Sequence, residues 1–183
     1  MAYPGAMTLG LRRGLVQLRP SSPEYPTLFA AERERVAQAL GPLALEIEHV
    51  GSTSVPGLVA KPVLDLAVAV SGAGQMPQCR GPLTRLGSTF RGDPAGQGEA
   101  FYALGPDDAR THYLHLLPIT HPHWRAYLVF RGALRADPEL RGAYADLRLA
   151  LARAHPEART EYTARKGAFI EGVLRQAETT AAP

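Results

Sequence analysis

The stretch Glu48-His49-Val50-Gly51-Ser52-Thr53-Ser54-Val55-Pro56-Gly57-Leu58-Val59-Ala60-Lys61-Pro62-Val63-Leu64-Asp65, continued by Leu66-Ala67-Val68-Ala69-Val70, decides how this chain is read. Val63 to Val70 is near-continuously apolar, which predicts a central strand covered on both faces. Asp65 is its one interruption. Upstream, Ala44 to Val50 alternates: Leu45, Ile47 and His49 share one face of a strand, and Glu46, Glu48 and Val50 share the other. Between the strands lies a Gly-Ser turn. It is not a P-loop, because Gly51 and Gly57 stand one residue too far apart and Lys61 does not follow the second glycine. Nor does it contain the G-x-S-x-G elbow of serine hydrolases.

Two readings of the turn stand side by side. One is a tight turn whose Asp65 hydrogen-bonds loop backbone. The other is a phosphate site. Glycines let the backbone approach a ligand, and successive N–H groups in such a turn can hold an anion. Ser52, Thr53 and Ser54 supply hydroxyls, Lys61 supplies charge, and Asp65 can hold a divalent cation such as Mg2+, which uses one or two carboxylates plus substrate phosphates.

Around this centre, 183 residues predict one domain with a full core. At 45% hydrophobic and 20% charged, the composition is that of a globular protein. No apolar run approaches membrane-spanning length. One cysteine, Cys79, rules out an internal disulfide and fits a reducing compartment, so the cytoplasm is the expectation. Net charge is +3 with no basic run, which argues against a nucleic-acid partner but not against a small anionic ligand. All but two of the 20 basic residues are arginine; the exceptions are Lys61 and Lys166.

The pattern predicts an N-terminal extension over 1–14, one domain over 15–177 and a tail over 178–183. Expected elements are an edge strand at Leu15–Leu18, helices over 27–40 and 77–86, and a hairpin pairing 100–104 with 111–117. Helices follow over 123–135, from an Asp137 cap to Pro156, and over 158–177. A mixed half followed by a helical half gives the α+β class.

His112 and His115 are three apart, so a strand points them to opposite faces, against a shared zinc site. His115 is the inward candidate, as base, phosphate donor or metal ligand. Arg131 and Arg135 share a helical face and can make bidentate phosphate contacts. Lys166 lies four after Tyr162 and either snorkels over it or reaches the Gly51–Asp65 site. Trp124 reads as a packing anchor and Cys79 as inert.

Glu48 to Asp65 resembles the signature of the GrpB-like family, a group of predicted nucleotidyltransferases, and the resemblance extends from about Val16 to Leu174. Pro23-Glu24-Tyr25-Pro26 is similar to its Asp-Pro-x-Trp-Pro opening, with Tyr25 in place of Trp. His112-Tyr113-Leu114-His115-Leu116 is similar to its His-x-His-type strand, and Tyr162 to Ile170 to its ending. Phe130 to Arg135 is similar to a Phe-Arg-Asp-Tyr-Leu-Arg segment, with Gly132 and Ala133 substituted.

The resemblance implies a nucleotidyltransferase-like mixed β-sheet flanked by helices, with a C-terminal helical part. It implies a nucleotide or other phosphorylated small molecule bound at Gly51, Ser52, Thr53, Ser54, Lys61, Arg131, Lys166 and Tyr162. Asp65 would hold Mg2+, with His115 or Glu48 as the acceptor's base in nucleotidyl transfer. In the nucleotidyltransferase superfamily that the resemblance implies, such an Asp is paired with a second carboxylate two residues on, where this chain has Ala67. His115, Glu48 and Glu99 are candidates to replace it. The alternative is a non-catalytic nucleotide- or coenzyme-A-precursor-binding module, since such domains occur fused to dephospho-coenzyme A kinase.

Overall fold

The computed structural model describes residues 9–181. Within them, β1 (Glu46–Val50), β2 (Leu64–Val70), β3 (Thr89–Phe90), β4 (Ala100–Leu104) and β5 (His112–Pro118) form one sheet in the order β1-β2-β5-β4-β3. β2 is parallel to β5, and the other neighbours pair antiparallel. The helices are α1 (Tyr25–Leu40), α2 (Met76–Arg85), α3 (Pro122–Ala136), α4 (Pro138–Ala154) and α5 (Arg159–Ala181). This is an α+β fold with a mixed sheet and a helical C-terminal part. No helix among the described residues is long and apolar enough to cross a membrane.

The alternation of side chains divides the sheet into two faces. Leu64, Leu66, Val68 and Val70 of β2, with Leu114 and Leu116 of β5, pack against Val36 and Leu40 of α1 and Cys79 and Leu83 of α2. Each fully buried leucine there contributes about 2 kcal/mol of burial. On the other face, Ala67 and Ala69 with Val50 and Leu117 receive Trp124 of α3. Small side chains at 67 and 69 leave room for the indole ring, so the central strand is covered on both sides. Asp137 caps α4, its Oδ1 accepting from the N–H groups of Glu139 (2.9 Å) and Leu140 (3.0 Å).

Register then sets the site. Val50, Asp65 and Tyr113 form one cross-strand row; Glu48, Ala67, His115 and Phe101 form the next, on the same face. His112, one position off this alternation, lies on the opposite face.

Three expectations change. Leu15–Leu18 forms no strand: Val16 is buried and its N–H donates to the Pro156 carbonyl, while the nearest bridge joins Arg19 to Ala60. Residues 9–14 are not a loose extension, because Gly10 donates to the Pro62 carbonyl and Leu11 pairs with Arg110 and is buried. Residues 1–8 lie outside the described residues. At the other end α5 runs on to Ala181, so most of the expected tail is helix.

Candidate functional site

β1 delivers the chain into a single 3-10 turn, Ser52–Ser54, through Gly51 at φ 68° and ψ −167°. That backbone geometry is open to glycine and strained for other residues. It brings the Gly51 backbone directly against the Asp65 side chain: a Cβ on Gly51 would lie 2.9 Å from both Cβ and Cγ of Asp65, and closer still to Oδ2. The turn and the carboxylate are thus built as one unit.

Of the three turn hydroxyls, only that of Ser52 joins Gly51 and Asp65 in the wall of one cavity. Ser54 Oγ donates to the Gly51 carbonyl (2.6 Å), and Thr53 Oγ1 is hydrogen-bonded to His49 Nε2 (2.9 Å). Both residues are buried. Thr53 and Ser54, expected as phosphate donors, instead hold the turn's shape and line a separate hollow.

Gly51, Ser52, Lys61 and Asp65 open into a cavity of about 520 Å3 between the sheet and helices α3–α5. Cations gather at one end of it. Arg148, only 3% exposed, donates from Nη2 to Ser52 Oγ (3.1 Å), from Nε to Tyr162 Oη (3.0 Å) and from Nη1 to the Val59 carbonyl. Lys61 Nζ stands 4.4 Å from the Tyr162 ring centroid and Lys166 Nζ 5.9 Å from it. Both lysines therefore meet at one buried tyrosine, and Lys166 reaches the site across the helical half. Tyr162 is 1% exposed, so it organises cations rather than offering a face for a base. Arg148 escaped the sequence reading. Its one signal is its spacing, four after Tyr144 and within the stripe that ends at Leu151.

The other end of the cavity is aromatic and acidic, with Phe101, Tyr113, His115 and Tyr127 beside Asp65. His115 Nδ1 donates to Glu99 Oε1 (2.5 Å), and its Nε2 lies 3.9 Å from Asp65 Oδ1. Glu99 also accepts from Tyr127 Oη (3.0 Å to each oxygen) and from His123 Nδ1 (2.9 Å). The loop that carries Glu99 is held by Asp93, which accepts from Gly98 N–H (2.6 Å), and by His121, which donates to the Gln97 carbonyl (2.7 Å).

Burial opposes charge on His115, yet the nearby Asp65 carboxylate and the hydrogen bond to Glu99 prevail and hold its pKa at about 9. Burial likewise works to raise Glu99, but its bonds to His115, His123 and Tyr127 bring it down to about 2. At neutral pH His115 is therefore an imidazolium and a hydrogen-bond donor. That state does not suit the acceptor-base role expected of it.

The pair makes a pH prediction. Its stabilisation through His115 is complete below the ordinary histidine pKa of 6.5 and is lost as pH rises through about 9. Through Glu99, the same stabilisation is present above 4.5 and lost as pH falls through about 2. A charged hydrogen bond of this kind is worth about 1.5–3 kcal/mol, or roughly 3–10 °C at this length. The melting temperature should fall by that amount between pH 6 and pH 9.5. Scanning calorimetry should show that part of the fall missing in His115→Gln; an unchanged fall in the variant contradicts the assignment.

Glu48 does not line the cavity of Gly51, Ser52, Lys61 and Asp65. Its Oε2 accepts from Arg131 Nη1 (2.6 Å), which also donates to the His49 carbonyl (2.6 Å). Arg135 clamps the Ser54 carbonyl through Nε (2.9 Å) and Nη2 (2.6 Å). These groups line the second hollow, about 570 Å3, with Phe29 stacked on His49 at 4.6 Å. Burial lowers the His49 pKa to about 4, with Asp65 opposing and Arg135 and Arg131 assisting. Arg131 is the one side chain in both linings. It separates Glu48 from the site, so the base role expected of Glu48 lacks a path to a ligand there.

A pair of Mg2+ ions does not fit these donors. Asp65 is a single carboxylate, the position two residues on is the fully buried Ala67, and the adjacent His115 is occupied by Glu99. Glu99 sits beyond that ring, and Glu48 is held by Arg131. Among the described residues, no three His, Cys, Asp or Glu side chains converge as ligands.

Residues 15–176 match the family described as GrpB protein. A UPF0157 protein of Pseudomonas aeruginosa is 35% identical over 165 residues, 88% of this chain and 67% of that protein. A dephospho-CoA kinase of Mycolicibacterium paratuberculosis is 29% identical over 162 residues, 75% of this chain and 40% of that protein. The crystal structure of conserved protein GrpB from Enterococcus faecalis superimposes with a TM-score of 0.81 at 30% identity, covering 90% of this chain and 98% of that one. The Cid1 poly(U) polymerase, solved with Mg and 3'-dATP bound, superimposes with a TM-score of 0.51 at 17% identity over 74% of this chain and 43% of that one, a likeness of fold alone. With the family match spanning residues 15–176, this chain belongs to the GrpB protein family.

Proposed function

We propose that this protein binds a nucleotide, or another phosphorylated small molecule, in the cavity entered by Gly51, Ser52, Lys61 and Asp65. The observation that carries the reading is the gathering of Lys61, Arg148 and Lys166 around Ser52 and Tyr162. Arg148 is buried and the two lysines are half-buried, and cations withdrawn from water are costly unless an anion or hydrogen-bond acceptors meet them. Here they face a cavity large enough for a small ligand. Phosphates occupy the cation end, and a planar group lies toward Phe101, Tyr113 and Tyr127. The unit that does this is the domain over 15–177, in the cytoplasm, a reducing compartment that suits the buried free thiol of Cys79.

Asp65 favours a second reading, nucleotidyl transfer. In it an acceptor hydroxyl oxygen bonds to the α-phosphorus, the bond from that phosphorus to the diphosphate oxygen breaks, and the hydroxyl proton leaves to solvent or base. Ser52 and Lys61 would hold the departing diphosphate, and the Asp65 carboxylate would lie at the reacting centre. The lone carboxylate ranks this second. The 29% identity shared with part of a dephospho-CoA kinase supports the binding-module form, with coenzyme A precursors among the ligands.

A thermal-shift panel of nucleoside mono-, di- and triphosphates and phosphopantetheine compounds tests both. A ligand at a hundred times its Kd stabilises by about 2.7 kcal/mol, roughly 5–10 °C at this length. Binding predicts a shift that survives Asp65→Asn; transfer predicts diphosphate release lost in that variant. No shift with any compound sinks the proposal.

A further inference from the structure

We infer that the cavity takes its ligand as the free polyanion, with the phosphate charge met by Lys61, Arg148 and Lys166 rather than by a divalent cation. This rests on the phosphorylated-ligand reading above and adds to it how the charge is neutralised.

The ground is what surrounds the turn. Where a metal-dependent site would need a second carboxylate beside Asp65, β2 carries Ala67, fully buried against Trp124 and Leu117. The neighbouring row positions offer no replacement. Glu48 is tied to Arg131, and Glu99 accepts from three side chains on the far side of the His115 ring. Ligands for a divalent cation must come from oxygen donors that face it, and Mg2+ shares them with phosphate oxygens. This cavity supplies Asp65 and, at its outer end, Glu171.

The lining carries four permanent cations, Lys61, Arg131, Arg148 and Lys166, beside two carboxylates, Asp65 and Glu171. Lys61, Arg148 and Lys166 converge on Tyr162, and Arg131 completes the wall. Arg148 is fixed by three neutral acceptors, with Nη2 already at Ser52 Oγ. Its orientation is set before a ligand arrives, and donors placed in advance add affinity by sparing the ordering cost. The two lysines are compact point charges on flexible stems, suited to following a phosphate chain. A Mg2+-bound polyphosphate has lost two negative charges and the oxygens these groups would contact. It is the weaker ligand for such a wall.

The test is isothermal titration of ATP and of inorganic tripolyphosphate, each in EDTA and in saturating Mg2+. The expected result is binding of both in EDTA, with affinity lowered about tenfold or more by Mg2+. Lys166→Met, half-buried on the face of α5 that lines the cavity, should weaken binding in EDTA about tenfold and reduce the Mg2+ effect. Arg148→Lys, which keeps the charge, should retain more affinity than Arg148→Met. Binding of ATP that requires Mg2+ overturns the inference while leaving the nucleotide reading intact. Tripolyphosphate that binds in EDTA while no nucleotide does leaves the cation cradle standing and overturns the nucleotide reading. If neither binds in either condition, both fall.

Discussion

Replacing Gly51 with alanine is expected to lower the melting temperature by roughly 5–15 °C and to abolish ligand binding. At φ 68° and ψ −167°, a side chain is strained by about 1–3 kcal/mol. The added methyl also meets Asp65 Cβ and Cγ at 2.9 Å. Relief requires the carboxylate to leave the cavity wall or β1 to part from β2, and overpacking of this kind costs a further 1–3 kcal/mol or so. Gly57→Ala is the control. It too has positive φ, 79°, but its added Cβ meets nothing closer than Arg141 Nε at 4.0 Å. It should cost only the backbone strain and leave binding in place. If the two variants melt and bind alike, the close fit of Gly51 to Asp65 does not organise the site.

Arg148→Met is the second large effect, and it separates binding from stability. The methionine keeps much of the packing on Tyr144, whose ring centroid lies 5.5 Å from the guanidinium carbon. It leaves the Val59 carbonyl without its donor, a loss of about 1–3 kcal/mol. Removing a buried cation returns part of that, because burying charge is unfavourable. The net fall in melting temperature should be small, roughly 2–5 °C. Affinity for a triphosphate should fall about a hundredfold, since one charged contact goes and Ser52 and Tyr162 lose their shared anchor. Calorimetric titration beside a melting curve checks both. A variant that unfolds yet binds normally once stabilised would make Arg148 purely structural.

The sheet was legible because its decisive residues obey a period of two. Leu64, Leu66, Val68 and Val70 could only be buried, and Asp65 and Ala67 could only share the opposite face, so the missing carboxylate could be read from residue order. The same rule placed His112 and His115 on opposite sides. Sequence order failed where geometry is not periodic. A 3-10 turn fans Ser52, Thr53 and Ser54 in three directions, and one residue in three lines the cavity that holds Lys61 and Asp65. Leu15–Leu18 looks like a strand by composition, but Val16 meets the Pro156 carbonyl alone and only the next residue, Arg19, bridges to Ala60, so no ladder forms.

Long-range partnerships were the other blind spot. Glu48 is 83 residues from the Arg131 that occupies it, and Arg148 is 96 from Ser52. A charge on a helix is ordinarily read as solvated, and only the spacing from Tyr144 set Arg148 apart. Glu99 lay in a Gly- and Pro-rich stretch whose loop geometry, fixed by Asp93 and His121, no pattern announces.

The central claim is that the cavity between Gly51 and Lys166 is where the ligand sits. Amide NMR of the 15N-labelled protein during an ATP titration in EDTA tests it most directly. The largest shifts are expected at Gly51, Ser52, Thr163 and Gly167, all in the cavity wall, with smaller ones at Thr53 and Gly57. Shifts concentrated instead around Phe29, His49 and Gly57 would move the ligand to the other hollow, and a spectrum unchanged at millimolar ATP would contradict the account.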